Sequence, residues 1–121
     1  MNLIQTIIIR DDLGFSRGLM AAQVAHIHAE VWRNPSVKIP NFDEWVKSPY
    51  IHVRKVPNKE ILLHIIDSIP KDMPCFQWYD TVNISYSETQ TKALSGILVG
   101  IAIGPCDSDK SKAILNDLPF L

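Results

Sequence analysis

The sequence predicts an α/β sandwich in which helices pack on a largely buried sheet. Segments typical of strands and of helices alternate along the chain, in the order strand, helix, strand, helix, strand, strand, helix. The first strand, Leu3 to Arg10, contains the β-branched run Ile7-Ile8-Ile9, which is typical of a strand buried on both faces. The length of 121 residues, without an internal repeat or a linker, favours one domain covering 1–121.

The first long helix is predicted from Ser16 to about Arg33. The Ser16 hydroxyl can accept a hydrogen bond from a first-turn amide, which is typical of an N-cap. Asn34-Pro35 ends the helix, because the residue before a proline disfavours helical geometry. A short helix follows from Phe42 to Lys47, with Asn41 as its predicted cap.

Five later segments complete the pattern. Tyr50 to Val56 alternates apolar and polar side chains, which indicates a strand. Asn58 caps a helix with a single apolar stripe, which Pro70 ends. The remaining predicted elements are strands at Cys75 to Tyr79 and Ile97 to Ile103, in which Gly100 and Gly104 permit close approach or a turn, and a last helix from Asp107 or Ser108 to before Pro119.

The stretch 81–95 stands apart from this alternation. It is rich in serine and threonine, and it contains the alternating apolar residues Val82, Ile84 and Tyr86. This pattern predicts a β-hairpin excursion or an ordered insertion within the single domain.

Composition and charge limit the classes of function. The chain carries 12 Lys and Arg residues against 13 Asp and Glu, a net charge of −1, so any nucleic-acid contact must rest on a local cluster of cations. The two cysteines, Cys75 and Cys106, match no metal or redox spacing, which favours a reduced protein of the cytoplasm. Met1 to Ile9 is apolar but has no basic n-region and breaks at once into Arg10-Asp11-Asp12, so we expect neither a signal peptide nor a membrane span.

The start of the long helix is the first candidate binding site. Ser16, Arg17 and Gly18 bring free amides, the positive end of the helix dipole and one cation together. This combination suits a phosphate or a carboxylate. An ordinary capped helix with a solvated arginine explains the same residues.

Gln23 and His26 form the second candidate. Their spacing of three places them side by side on the helix, among alanines small enough for a substrate to approach closely. The alternative is a hydrogen-bonded core histidine with a helper amide. The four histidines show no zinc spacing, so we expect no metal site; they are His26, His28, His52 and His64.

Asp80 is the third candidate. It follows the strand that ends at Tyr79, and α/β sheets place their sites at the carboxyl ends of strands. A carboxylate there can orient or deprotonate a water molecule. The alternative is a turn aspartate that starts the 81–95 segment. Cys75 lacks a neighbouring base, and a buried structural thiol is the better interpretation of it.

The chain resembles the type-2 peptidyl-tRNA hydrolases. "IIIRDDL" followed by "GLMAAQVAHIHA" is similar to that family's strand ending in Arg-x-Asp-Leu and its helix beginning Gly-Lys-x-Ala-Ala-Gln-x-Ala-His. Three later stretches agree in order, and together they extend the resemblance over nearly the whole chain: "FDEWVKSPYIHVRKV", "MPCFQWYD" and "GIAIGPCDSDKSKAILNDLPFL".

This resemblance implies a three-layer fold, with a mixed four-stranded sheet and helices on both faces, and commonly a homodimer. The implied reaction is hydrolysis of the ester that joins a peptide to the 3′ ribose of tRNA. No metal or organic cofactor is implied. Such a sparse site is chemically sufficient, because an ester has a good leaving group and needs only a positioned water, a carboxylate and a few donors.

The resemblance also assigns positions. Gln23 and His26 match the family's helix signature, Asp80 matches its acidic site residue, and Arg10 and Asp12 match the loop that enters the helix.

Two positions depart from the family. Leu19 stands where the family has its active-site lysine, and the Asp-x-Gly-x-Thr motif after the aspartate is absent. Our hypotheses are that Arg17 supplies the lost charge and that Thr81 supplies the lost hydroxyl.

We therefore expect a divergent hydrolase in which Asp80 orients water while Gln23 and His26 shape the pocket. Arg17 and Gly18 would face phosphate. A second cationic cluster, Arg54, Lys55 and Lys59, would contact the tRNA backbone. One competing hypothesis is a non-catalytic RNA- or protein-binding module, with Trp78 and Tyr86 as aromatic contacts. The other is a hydrolase of a different small ester or amide.

Overall fold

The computed structural model describes residues 2–34, 38–85 and 91–115. Three sequence predictions lie outside these ranges: the role of Pro35, the contact through Tyr86 and the end of the last helix before Pro119. The elements are β1 Leu3–Arg10, α1 Arg17–Arg33, α2 Phe42–Lys47, β2 Ile51–Val56, α3 Lys59–Ser68, β3 Cys75–Ser85, β4 Thr91–Asp107 and α4 Ser108–Leu115.

The four strands form one mixed sheet in the order β2-β1-β4-β3. Strand β1 pairs parallel with β2 and antiparallel with β4, and β3 pairs antiparallel with β4. Strands β1, β2 and β3 therefore point the same way. The mixed four-stranded sheet is confirmed. The carboxyl ends of β1 and β2 lie at one end of the sheet, and β3 passes this end at Asp80.

Helices cover both faces of this sheet, as predicted. Alternate residues of β1 point to opposite faces. Ile7 and Ile9 pack in one apolar cluster with Ile27 of α1 and Trp45 of α2. The second cluster joins Ile8 to α3 and α4 through Leu62, Ile65 and Leu115. We call these the α1 face and the α3 face.

The last two strands are longer than the sequence predicts. Pairing of β3 with β4 continues from Val82 opposite Leu94 to Ser85 opposite Thr91. A ladder is held by backbone hydrogen bonds, so it continues past the predicted strand end at Tyr79 into the alternating segment that begins at Val82. The hairpin prediction for 81–95 is confirmed in its described part.

Two of the predicted helix caps are confirmed. Ser16 Oγ accepts from the backbone N–H of Leu19 at 3.2 Å, and Asn58 Oδ1 accepts from that of Ile61 at 2.9 Å. The prediction for Asn41 is wrong: this residue has φ 61° and makes no side-chain cap bond. Its left-handed backbone, which asparagine tolerates, turns the chain into α2.

Gly100 sets the distance between α1 and the sheet. A Cβ atom at this position would lie 2.6 Å from Ile27 Cδ1 and 2.6 Å from the carbonyl oxygen of Ile8. Only glycine allows this approach, which confirms the close packing predicted at Gly100. Gln23 lies one turn before Ile27, so the same contact holds it against the sheet. No helix in the described ranges has the length and apolar character needed to cross a membrane.

Candidate active site

The sheet edge beside α1 brings Gln23 and Asp80 together. Gln23 is 3% exposed, while Asp80 is half-buried. The Gln23 amide nitrogen donates to Asp80 Oδ2 at 2.9 Å. Two residues that the sequence separates by 57 positions therefore form one polar unit. Asp80 lies inside β3 and pairs with Ile97, so both its predicted place after the end of a strand and the alternative of a turn aspartate are wrong.

Both oxygens of the Asp80 carboxylate accept a hydrogen bond. Oδ2 takes the bond from Gln23, and Oδ1 accepts from the backbone N–H of Thr81 at 2.7 Å. A carboxylate oxygen has room for a second donor, so each can still accept from a water molecule. Among the described residues, no lysine or arginine forms an ion pair with Asp80.

Trp78 lies on the other side of Gln23. Its indole N–H donates to Gln23 Oε1 at 2.8 Å. The His26 ring stacks on the Trp78 ring, with centroids 4.9 Å apart and planes 14° apart. The Arg33 guanidinium carbon lies 5.2 Å from the Trp78 ring centroid. Trp78 is thus enclosed by side chains of α1.

His26 is exposed. The alternative that it is a core histidine is therefore wrong, and the buried polar residue of the predicted pair is Gln23. A helical spacing of three places both side chains beside Trp78: Gln23 is buried against the sheet, and the exposed His26 ring stacks on the indole. Together they form one side of the site.

Arg10 makes structural hydrogen bonds at this end of the sheet. Its guanidinium makes two bonds to Asp12, at 3.0 and 2.9 Å, and donates to the carbonyl oxygen of Leu98 at 3.1 Å. The Arg10 hydrogen bonds hold the pKa of Asp12 below its usual value. This pair fixes the loop that leads into α1, and the substrate contact expected for Arg10 stays a prediction.

The N-terminus of α1 is exposed at Arg17 and Gly18. The backbone N–H of Leu19 is occupied by the Ser16 cap. Arg17 precedes Leu19 by two positions, and residues at that spacing do not face each other on a helix. Arg17 therefore does not stand where the family lysine would stand. Leu19 itself is 46% exposed and lies one turn before Gln23.

The second cationic cluster is divided between the two faces of the sheet. Arg54 and Lys55 are neighbours on β2, so their side chains point to opposite sides. Val53 packs in the α1 face and Val56 in the α3 face, which places Lys55 with the first and Arg54 with the second. Of the two, only Lys55 shares the face of Asp80. Its strand β2 lies three strand spacings, about 14 Å, from the strand β3 that carries Asp80.

The cysteines have the properties of structural thiols. Burial raises the pKa of Cys75 to about 11, and burial also raises the pKa of Cys106. A raised pKa favours the protonated thiol at neutral pH, which is the less reactive form. Within the described part of the chain, no group of three or more His, Cys, Asp or Glu side chains has a geometry that could hold a metal ion.

Trp78 is the site residue whose place sequence reasoning missed. Only the competing hypothesis of a binding module gave Trp78 a role, as an aromatic contact, whereas in the structure its ring packs on α1 and its N–H reaches Gln23. The signal was its spacing: Trp78 stands two residues before Asp80, and strand residues at that spacing share a face.

Comparison with known proteins identifies the family of the chain. The family model described as "Peptidyl-tRNA hydrolase PTH2" matches residues 3–121. A peptidyl-tRNA hydrolase of Methanocaldococcus jannaschii is 30% identical over 118 residues, which cover 95% of this chain and 96% of that protein. Those of Methanopyrus kandleri and Methanococcus vannielii are 29% and 28% identical, each with 97% of both chains covered. The chain belongs to the peptidyl-tRNA hydrolase PTH2 family.

Proposed function

We propose that this protein hydrolyses the ester bond between a peptide and the 3′ ribose of tRNA and releases free tRNA in the cytoplasm. The observation that carries the proposal is the Asp80 carboxylate, because hydrogen bonds hold both of its oxygens in place. This carboxylate lies beside α1 in a chain that belongs to the peptidyl-tRNA hydrolase PTH2 family. A carboxylate fixed in this way is ready to accept a hydrogen bond from water without first reorganising.

The reaction needs one positioned water. In our proposal, an Asp80 oxygen accepts a proton from this water while the oxygen of the water attacks the ester carbonyl carbon. The carbon–oxygen bond to the ribose then breaks, and the proton passes to the departing 3′ oxygen. Gln23 keeps the carboxylate in place. Asp80 is the catalytic residue in this scheme, and Gln23 is a positioning residue.

The tRNA would approach over the outer side of α1. His26 offers the exposed side of a ring already stacked on Trp78, and such a surface suits an unpaired base of the acceptor end. Arg17 and the amide of Gly18 would meet phosphate there. Lys55 lies on the same face of the sheet and would contact the backbone farther away. Arg54 would reach RNA only around the edge of β2.

Other residues contribute less directly. Arg10 would support the site by holding the loop before α1, since its guanidinium already binds Asp12 and Leu98. Thr81 would supply its backbone N–H, which reaches Asp80, in place of the hydroxyl that we first expected. The net charge of −1 implies weak tRNA affinity that falls further as salt is added. The homodimer that the family resemblance implies is part of the same proposal.

The second candidate is a non-catalytic RNA-binding module. Leu19 favours it, because this position carries no charge to stabilise an oxyanion. The test is to incubate the protein at low salt with an N-blocked aminoacyl-tRNA and to follow both free tRNA and bound tRNA. We expect several turnovers per protein molecule. Bound tRNA that keeps its ester would support the module, and an absence of both would remove both candidates.

A further inference from the structure

We infer that Trp78 is a positioning residue of this site, which fixes the side-chain amide of Gln23 and, through it, the Asp80 carboxylate. The three side chains form a directed chain of hydrogen bonds, from Trp78 Nε1 to Gln23 Oε1 at 2.8 Å and from Gln23 Nε2 to Asp80 Oδ2 at 2.9 Å. Its catalytic meaning rests on the proposed function.

The chemistry of the two ends allows only one orientation of the amide. An indole N–H can only donate, and a carboxylate can only accept. The oxygen of Gln23 must therefore face Trp78, and its nitrogen must face Asp80. If the amide turned over, its NH₂ group would meet the indole N–H and its oxygen would meet the carboxylate. Both bonds would be lost, and both pairs would repel.

Burial makes this selection effective. Gln23 is 3% exposed, so water offers the amide little substitute for either partner. The ring of Trp78 is itself held in place, because His26 stacks on it and the Arg33 guanidinium lies near its centroid. Arg33 in turn lies 3.4 Å from a carboxylate oxygen of Glu30. The indole N–H of Trp78, which donates the first of the two hydrogen bonds, is therefore fixed before any substrate arrives.

The test replaces Trp78 by phenylalanine, which keeps an aromatic ring between the α1 side chains and removes the N–H. We expect kcat for an N-blocked aminoacyl-tRNA to fall about tenfold, with KM within about twofold, because one hydrogen bond in the chain is lost. Trp32→Phe is the matched control, since Trp32 lies on α1 and is 49% exposed. We expect this control to keep the wild-type kcat.

A double-mutant cycle separates positioning from a general effect on packing. If Trp78 acts through Gln23, Trp78→Phe costs about tenfold in the wild type and nothing further in a Gln23→Ala background. An equal cost in both backgrounds, or no cost in the wild type, overturns the inference.

A spectroscopic measurement tests the hydrogen-bond chain without turnover. The sequence has three tryptophans, so the indole N–H signals can be assigned by single Phe substitutions. We expect Gln23→Ala to move the Trp78 indole signal and to leave the Trp32 signal in place. A Trp78 signal that does not move contradicts the inference. If it moves in a protein without turnover, the chain of bonds stands and the proposed function fails.

Discussion

Gln23 of α1 donates a hydrogen bond to Asp80 of β3 at 2.9 Å and so ties the first helix to the third strand at the edge of the sheet. Both side chains are polar, and one of them is buried. A buried amide is tolerated in such a place only when its donor and acceptor are both satisfied, as they are here by Asp80 and Trp78. The pair gives this chain a fixed carboxylate although the family lysine is missing.

The missing charge can be restored at Leu19. This side chain is 46% exposed and lies one turn before Gln23, so Leu19→Lys restores an ammonium at the position of the family lysine without a cost in the core. We expect the hydrolysis rate at low salt to rise about tenfold or more, because the new charge stabilises negative charge that develops on the ester. Leu19→Gln, which is polar but neutral, should leave the rate near that of the wild type. A rate unchanged in Leu19→Lys would show that this position does not face the reaction.

The ion pair of Arg10 and Asp12 predicts a dependence of stability on pH. Hydrogen bonding by Arg10 lowers the pKa of Asp12 from its usual 3.8, so the folded state favours the ionised form. The stabilisation is present above about pH 4 and is lost as pH falls through the lowered pKa. Asp12→Asn should lower the free energy of unfolding at pH 7 by about 1 kcal/mol, since the carboxylate is a third exposed.

Denaturant unfolding at several pH values checks this prediction. The difference between the wild type and Asp12→Asn should shrink from pH 7 to pH 3. Asp11→Asn is the control, because Asp11 is an exposed neighbour, and its curve should follow that of the wild type. A difference that stays constant down to pH 3 would contradict the role of the carboxylate charge.

Gly100 is expected to tolerate no side chain. A Cβ atom there would lie 2.6 Å from both Ile27 and the backbone of Ile8, so Gly100→Ala must push α1 away from the sheet. We expect a loss of about 2 kcal/mol in the free energy of unfolding. Gly18→Ala meets nothing within 4 Å and should raise stability slightly, since alanine favours a helix. Thermal unfolding of both variants checks this prediction. Equal midpoints for Gly100→Ala and Gly18→Ala would contradict the close packing at Gly100.

Arg17 is expected to contribute to binding of tRNA. Arg17→Ala should weaken the binding of tRNA to a similar extent for every tRNA sequence. It should also lower the slope of log affinity against log salt concentration by about one. Lys71→Ala removes an exposed lysine from the loop at the far end of the sheet and serves as the control. Unchanged affinity and unchanged salt dependence in Arg17→Ala would remove this arginine from the interface.

Most of the fold could be predicted from the sequence because its local signals agree. The Ile7-Ile8-Ile9 run, the caps Ser16 and Asn58 and the apolar stripe of α3 each predict an element that the structure contains. The errors lie where tertiary pairing decides. Strand β3 runs past its predicted end at Tyr79, β4 begins before Ile97, and Asn41 turns the chain with its backbone instead of capping with its side chain.

The candidate site was predicted in part. The sequence names Gln23 and Asp80 as candidates, and the structure brings them into contact, although Asp80 lies within β3 and not after its end. The separation of Arg54 and Lys55 follows from strand alternation, which a count of clustered charges overlooks. The role of Trp78 required three-dimensional contacts, because no local pattern tells which hydrogen-bond acceptor an indole reaches.

The most direct test of the proposed reaction is the single-turnover rate at which an excess of protein releases tRNA from an N-blocked aminoacyl-tRNA at low salt. Wild type, Asp80→Asn and Asp72→Asn are compared, and Asp72 is an exposed carboxylate in the loop before β3. We expect a loss of about 100-fold or more in Asp80→Asn, with tRNA affinity kept and Asp72→Asn at the wild-type rate. A rate in Asp80→Asn equal to that of the wild type would contradict the assignment of Asp80 as the residue that activates water.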